Sequence, residues 1–368
     1  MVWLILGSLL PSMLLCWVAA WLVRCWGPAC GLVDRPGERK VHETEMPTGG
    51  GVAIWLGVVL PFAVGQLLLL VVLLTGDAWL PEFVRPYVSG LWQQLPKLWI
   101  LLAGGTVMMV LGLIDDRRGL GWPVRLGVQV FVATLLVIVM PQLRLSLFLD
   151  VPILTGTLSV IWIVGLVNSF NMLDNMDGLS AGVAAIAAGI LAAVMLLAPE
   201  PGSSRPQLFV GGFLLVLAGS LLGFLWHNRP PARLFMGDAG SYFVGYMLAV
   251  ATLTATFANE SVPHAILAPL CVLAVPIYDT LTVVWIRLRE NRSPFVGDRS
   301  HFSHRLVELG MSKAQAVWTI YLATATCGLG ALLLRQVDIV GACVVLLMVA
   351  CILILVAILE TTGRNRQD

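Results

Sequence analysis

Residues 98–118 read Leu98-Trp-Ile-Leu-Leu-Ala-Gly-Gly-Thr-Val-Met-Met-Val-Leu-Gly-Leu-Ile-Asp115-Asp116-Arg117-Arg118, an apolar run that ends abruptly in four charges. About 20 such residues cross a bilayer as a helix, and the acids mark where this one emerges. Working outward, comparable runs occupy 3–23, 52–75, 124–140, 152–168, 178–198, 207–226, 240–258, 264–286, 315–334 and 337–359. None shows the period-2 alternation of a barrel strand, and lipid tolerates no unpaired backbone, so the spans are helices. The expected fold is all-α: a polytopic integral membrane protein of about 10 to 11 transmembrane helices. It forms a single transmembrane domain over residues 1–368.

Composition agrees. With 58% hydrophobic and 12% charged residues and a mean hydropathy of +0.90, the chain is too apolar for a soluble domain. Its net charge of +1 points to no nucleic-acid partner, and no repeat of 20–50 residues is visible. Of the 22 Lys and Arg, only Arg85, Lys97, Arg144, Arg205 and Arg335 lie away from one set of loops and the C-terminal tail. Those loops, at 24–51, 115–123 with Arg125 just past its end, 168–177, 227–239 and 287–314, are therefore cytoplasmic and the N-terminus is outside. The first span lacks a basic leader and is long for a signal peptide, so it is expected to be retained. The same loops hold every histidine except His264. Of the seven cysteines, five sit in apolar runs and Cys25 and Cys30 lack a CxxC spacing, the pattern of ordinary small hydrophobes rather than of a metal or disulfide framework.

Chemistry gathers in these loops. Asp115 and Asp116, adjacent at the rim of a span, suit a divalent metal or a general base, although a solvated helix end would look alike. Arg117, Arg118 and Arg125 follow, able to meet lipid phosphates or a phosphorylated substrate. Asn171, Asp174 and Asp177 are spaced by three, which on a helical turn puts them on one face. In the fourth loop Phe235-Met-Gly237-Asp238-Ala-Gly240-Ser241 joins backbone-exposing glycines to hard oxygen ligands suited to Mg²⁺ on Asp238. Phe235 is there either a base-stacking platform or a bilayer anchor. The fifth loop carries Arg287, Arg289, Arg292, Asp298, Arg299, His301, His304 and Arg305, a set that fits a diphosphate better than zinc. Asp279, inside the preceding span, must face the protein interior, since a central lipid-facing acid costs roughly 2.5–3.5 kcal/mol. The first loop, with Asp34, Pro36, Arg39, Lys40, His42, Pro47, Gly50 and Gly51, is basic and ends in glycines.

In this order the five loops resemble the polyprenyl-phosphate N-acetylhexosamine-1-phosphate transferases, glycosyltransferase family 4, from about residue 31 to residue 310. The matching motifs are D-x-P-x-x-R-K-x-H from Asp34, the pair Asp115-Asp116 with Arg125 and Gln129, N-x-x-D-x-x-D-G from Asn171, F-x-G-D-x-G-S from Phe235, and S-P-F-x-x-D-R-x-H from Ser293. The last is similar to the branch using UDP-N-acetylglucosamine rather than to the muramoyl-pentapeptide branch, with Ser303 standing where that branch usually has a second histidine. The resemblance implies transfer of N-acetylhexosamine 1-phosphate from a UDP-sugar to undecaprenyl phosphate at the cytoplasmic face of a bacterial plasma membrane, with Mg²⁺, or Mn²⁺ in its place. It implies Asp115 as base or lipid-phosphate activator, Asp116 as its partner and Asp238 as catalytic metal ligand. Asn171 would meet the diphosphate, Asp174 and Asp177 the nucleotide, and Phe235 the uracil, with Lys40, Arg299, His301 and His304 completing the substrate set. A homodimer is a further expectation. A CDP-alcohol phosphotransferase is disfavoured because only Asp174-x-x-Asp177-Gly178 matches its motif. A transporter is disfavoured because ionisable groups crowd one surface rather than the midplane.

Overall fold

The computed structural model describes residues 1–34, 45–82, 84–145, 151–197, 206–258, 262–298 and 300–364. Lys40 and Arg299, and with them Pro36, Arg39 and His42, lie outside the described residues. The helices are α1 (Val2–Trp26), α2 (Gly50–Thr75), α3 (Val88–Arg118), α4 (Trp122–Val139), α5 (Pro152–Leu173), α6 (Leu179–Leu197), α7 (Leu208–Asn228), α8 (Gly237–Thr254), α9 (Ala268–Val272), α10 (Ala274–Arg289), α11 (Phe302–Glu308), α12 (Lys313–Leu333) and α13 (Ile339–Arg364). A two-residue strand β1 (Val33–Asp34) pairs antiparallel with β2 (Met46–Pro47). By length and composition nine of the helices described can cross a membrane: α1 to α7, α12 and α13. The bent pair α9–α10 makes a tenth.

α8 fills the predicted span 240–258 but is not among those nine. Its surroundings are protein rather than lipid: every residue from Ala239 to Leu253 is buried, against α2, α3 and α5. A helix so enclosed carries Asp238, Ser241 and Tyr242 at little solvation cost because their polar atoms find partners, whereas the buried Tyr246 hydroxyl has none among the described residues. It is the central post of the molecule.

Three sequence expectations change. The run 98–114 is only the second half of α3, which continues helically through Asp115 and Asp116. α5 stops at Leu173, with Asp174 as its C-cap and Asp177 in the turn before α6, so Asn171, Asp174 and Asp177 do not share a helical face. The span 264–286 is broken at Leu273 and bent by 68°. Pro276 explains the break, because its ring meets the carbonyl of the residue four earlier and it has no N–H to give. The fifth loop contains a helix of its own, α11. Asp279 is fully buried, as its place in a span required.

Glycine lets the helix ends converge. The N–H groups of Gly50 and Gly51 donate to the carbonyls of Phe235 and Met236, both at 3.0 Å, and Phe235 N–H donates to Pro47 O at 2.9 Å. A Cβ on Gly51 would lie 2.1 Å from the Gly240 nitrogen, so only glycine allows α2 and α8 to touch here. We expect Gly51→Ala to cost about 1–3 kcal/mol by overpacking. Gly65→Ala, on the same helix with nothing within 4 Å of the new methyl, is expected to be neutral. Thermal unfolding in detergent, followed by intrinsic fluorescence, would show a lowered midpoint for the first alone.

Candidate active site

The site is built around the first turn of α8. Asp116, on the last turn of α3, accepts the backbone N–H of Asp238 at 2.8 Å and of Ala239 at 3.2 Å. Those N–H groups have no partner within their own helix, and a carboxylate facing the positive end of a helix dipole is the natural one. Gly237 makes room for it: its φ is +69°, and a Cβ there would stand 2.6 Å from an Asp116 oxygen. Asp115 faces another way and is 5% exposed. It accepts from Leu120 N–H at 2.7 Å, from Arg125 at 2.9 Å and from the Tyr242 hydroxyl at 3.0 Å. Each such bond to a charged group is worth about 1.5–3 kcal/mol. The same Arg125 nitrogen lies 4.0 Å from Asp238 Oδ2. The Asn171 amide donates to Asp238 Oδ1 at 2.6 Å and to Ser241 Oγ at 3.1 Å. Asp115, Asp116, Asn171 and Asp238 thus meet directly, and the cation beside Asp238 is Arg125. Arg229, nearer in sequence, lies instead over the Trp226 ring at 4.4 Å.

The third and fourth loops are stitched together behind this cluster. Asp177 accepts Ala232 N–H at 2.9 Å, while Asn228 accepts Gly178 N–H at 3.0 Å and donates to Leu234 O at 2.9 Å. Phe235 is half-buried beside them, its backbone clamped by Pro47 and Gly50. Asp174 is half-buried as well. Burial first, then the charges of Asp116 and Asp177, push its carboxyl up to about 7.

The histidine loop is held by its own acids. Asp279 accepts from the ring of His301 through Nδ1 at 2.9 Å and from Phe302 N–H at 2.6 Å, so Nε2 of His301 points away from that carboxylate. The His304 ring lies 6.4 Å from that of His301. Ser303 Oγ donates to Asn175, and the Tyr321 hydroxyl donates to Gly178 O, which ties α11 and α12 to the third loop. Asp298 is bound by Arg287 at 3.0 Å and Arg292 at 2.8 Å. Burial opposes its charge, but the Arg287 bond and Ser300 N–H outweigh it and hold the carboxyl at about 2. Sequence reading missed Tyr242, Ser241 as an amide partner, Asn228 and Asn175. For Tyr242 a signal existed, since it stands four residues after Asp238 and so one turn along the same face of α8.

Among the described residues no three His, Cys, Asp or Glu side chains converge on one ion. Mg²⁺ usually takes one or two carboxylates and completes its shell with water and substrate oxygens, so the Asp238 carboxylate is a donor of the type such a cation uses. Asp238, with a side chain 30% exposed, is the accessible acid, whereas Asp115 at 4% is enclosed.

Comparison with known proteins bears on the same residues. A profile described as glycosyl transferase family 4 matches residues 98–256. The Bacillus subtilis (strain 168) protein named "Probable undecaprenyl-phosphate N-acetylglucosaminyl 1-phosphate transferase" is 32% identical over 318 residues, 84% of this chain and 79% of its own. The chain belongs to glycosyl transferase family 4. This family-4 protein is also similar to the decaprenyl-phosphate N-acetylglucosaminephosphotransferase of Mycobacterium tuberculosis (strain CDC 1551 / Oshkosh), 32% identical over 88% of this chain and 80% of the relative. The undecaprenyl-phosphate alpha-N-acetylglucosaminyl 1-phosphate transferase of Escherichia coli (strain K12) is 26% identical over 80% and 74%. The profile match takes in Asp115, Asp116, Asn171, Asp174, Asp177, Phe235 and Asp238; Asp279, His301 and His304 lie beyond it.

The raised Asp174 carboxyl gives a stability test. The native state keeps a proton that the unfolded chain releases near 3.8, so this group's contribution is fully present below 3.8 and is lost as pH rises through about 7. Asp174→Asn removes that loss. Its unfolding midpoint relative to wild type should rise between pH 5 and pH 8, and a difference unchanged across that range would refute the assignment.

Proposed function

We propose that this family-4 transferase moves N-acetylglucosamine 1-phosphate from UDP-N-acetylglucosamine to undecaprenyl phosphate, leaving UMP and a lipid diphospho-sugar. The observation that carries the reading is the meeting of Asp115, Asp116, Asn171 and Asp238 with Arg125 around the first turn of α8. The names of the relatives support the sugar and the lipid. The reaction joins a phosphate oxygen of the lipid to the β-phosphorus of the nucleotide and breaks the bond from that phosphorus to the bridging oxygen, which leaves on UMP. Such a transfer needs charge neutralisation and alignment more than covalent help.

Asp238, turned by Asn171, would hold a divalent cation, Mg²⁺ or Mn²⁺, and that cation supplies neutralisation of the diphosphate charge. Arg125 neutralises a phosphate oxygen on the lipid side, and Asp115 acts on the lipid phosphate through the guanidinium it holds. Asp116 keeps the first turn of α8 in place. Asn171 donates to a diphosphate oxygen when not engaged by Asp238, Asp174 and Asp177 face the nucleotide, and Phe235 stacks on uracil. His301 and His304, with Lys40 and Arg299 from their loops, meet the remaining phosphate charge.

Membranes containing the protein, given radiolabelled UDP-N-acetylglucosamine, undecaprenyl phosphate and Mg²⁺, should yield butanol-soluble label and UMP. UDP-N-acetylgalactosamine and UDP-N-acetylmuramoyl-pentapeptide serve as competing donors, and preference for either would overturn the sugar. Asp238→Asn should lose activity on the order of a hundredfold, as should EDTA treatment. Full activity of a well-inserted Asp238→Asn protein in EDTA would exclude the metal role.

The site is assigned to the cytoplasmic side of a bacterial plasma membrane on the asymmetry of Lys and Arg. Single cysteines at the exposed positions Arg118, Arg233 and Glu290, in a background without native cysteines, should be shielded from impermeant thiol reagents in intact cells. One at Asp77, exposed after α2, should react. The opposite labelling pattern would invert the orientation.

A further inference from the structure

α13 is apolar from Ile339 to Leu359, and its first acid, Glu360, is buried against the histidine loop. Glu360 Oε2 lies 3.0 Å from Arg305 of α11, with both side chains under a tenth exposed, and accepts the Tyr278 hydroxyl of α10 at 3.1 Å. Arg305 turns its other terminal nitrogen to the carbonyl of Ser300 at 2.9 Å, the residue before His301. Asp279, next to Tyr278, holds the N–H of Phe302, the residue after it, and the ring itself. His301 is therefore pinned on both sides of its backbone, from α10 by Asp279 and from α13 by Glu360 acting through Arg305. An acid carried to the end of a membrane helix and buried needs a cation to be tolerated. The cation it meets is one that shapes the site.

We infer that Glu360 is a positioning residue for the transfer reaction: it fixes Arg305, and through Arg305 the turn that presents His301 to the substrate. This rests on the proposed role of His301 at the diphosphate. With the carboxylate gone, Arg305 keeps only the neutral Thr282 hydroxyl at 3.2 Å to steady it, its hold on the Ser300 carbonyl loosens, and His301 is less firmly placed while Asp238, Asn171 and Arg125 stay in place. The fault falls on the donor side of the reaction and not on lipid binding.

The test is a double-mutant cycle in full-length protein in detergent. Glu360→Gln should lower kcat/KM for UDP-N-acetylglucosamine about tenfold, the loss expected when one charge-assisted contact is broken. KM for undecaprenyl phosphate should stay unchanged. In a His301→Ala background Glu360→Gln should cost nothing further. Losses that multiply in the double variant, or an unaltered kcat/KM in the single one, would overturn the positioning role alone. Full activity of His301→Ala would overturn the reading of the site and the positioning with it. Should Glu360→Gln fail to insert, Tyr278→Phe removes only the hydroxyl that steadies Glu360, and should give a smaller loss with the same dependence on His301.

Discussion

The carboxylate of Asp116 on the backbone N–H groups of Asp238 and Ala239 joins the two helices that make the site. It satisfies donors that α8 leaves unpaired and places a negative charge where the helix dipole is positive. The contact requires near-absence of side chains around it, which Gly112 and Gly237 provide: a Cβ on Gly112 would lie 2.3 Å from the Asp238 carbonyl. Everything else in the cluster is placed relative to this joint. Consecutive residues on a helix point about 100° apart, so with Asp116 committed to α8, Asp115 is directed to Arg125 and Tyr242. The two acids of one dipeptide thereby acquire different work.

Three buried acids near the motif end of the bundle each have an engaged partner. Asp115 has Arg125, Asp279 has His301, and Glu360 has Arg305. Removing one member would strand the other in a medium that solvates charge poorly, which is far more costly than the net worth of the pair. Asp174 and Asp238, both half-buried, are less well supplied with positive charge. The first is pushed up to about 7 by burial and its acidic neighbours, and the second is met by an amide and by Arg125 only at 4.0 Å. Under the proposed reaction, acids left short of positive charge are the places where a cation would be held.

The histidine loop shows how distant segments cooperate. α10, α11 and α13 contribute Asp279, Arg305 and Glu360 to one turn, while Ser303 and Tyr321 lock that turn to the loop between α5 and α6. Ser303, a departure from the usual histidine, has a clear local use, since its short hydroxyl reaches Asn175. The result is one turn held by segments that stretch from Asn175 to Glu360 in the chain.

Hydropathy, a property of consecutive residues, determined the membrane class, the helical character and the positions of most spans, because lipid tests each stretch on its own. Loop motifs singled out Asp115, Asp116, Asn171 and Asp238, which the fold brings together, and an acid within a span placed Asp279 inside the protein. What depended on neighbours in space could not be read. A helical face was expected for Asn171, Asp174 and Asp177, but α5 ends between the first and second of them. α8 reads as one more span, but that every residue from Ala239 to Leu253 is enclosed by other helices could not be read from it. Arg229 and Arg233 flank the Asp238 motif in the chain, yet the cation beside Asp238 is Arg125, brought by the packing of α3, α4 and α8. Glu360 looked like an ordinary residue at the end of an apolar helix. Which charge meets which is decided by the crossing of helices, and no fixed spacing along the chain encodes that crossing, whereas the need of each stretch to lie in lipid or water is written residue by residue.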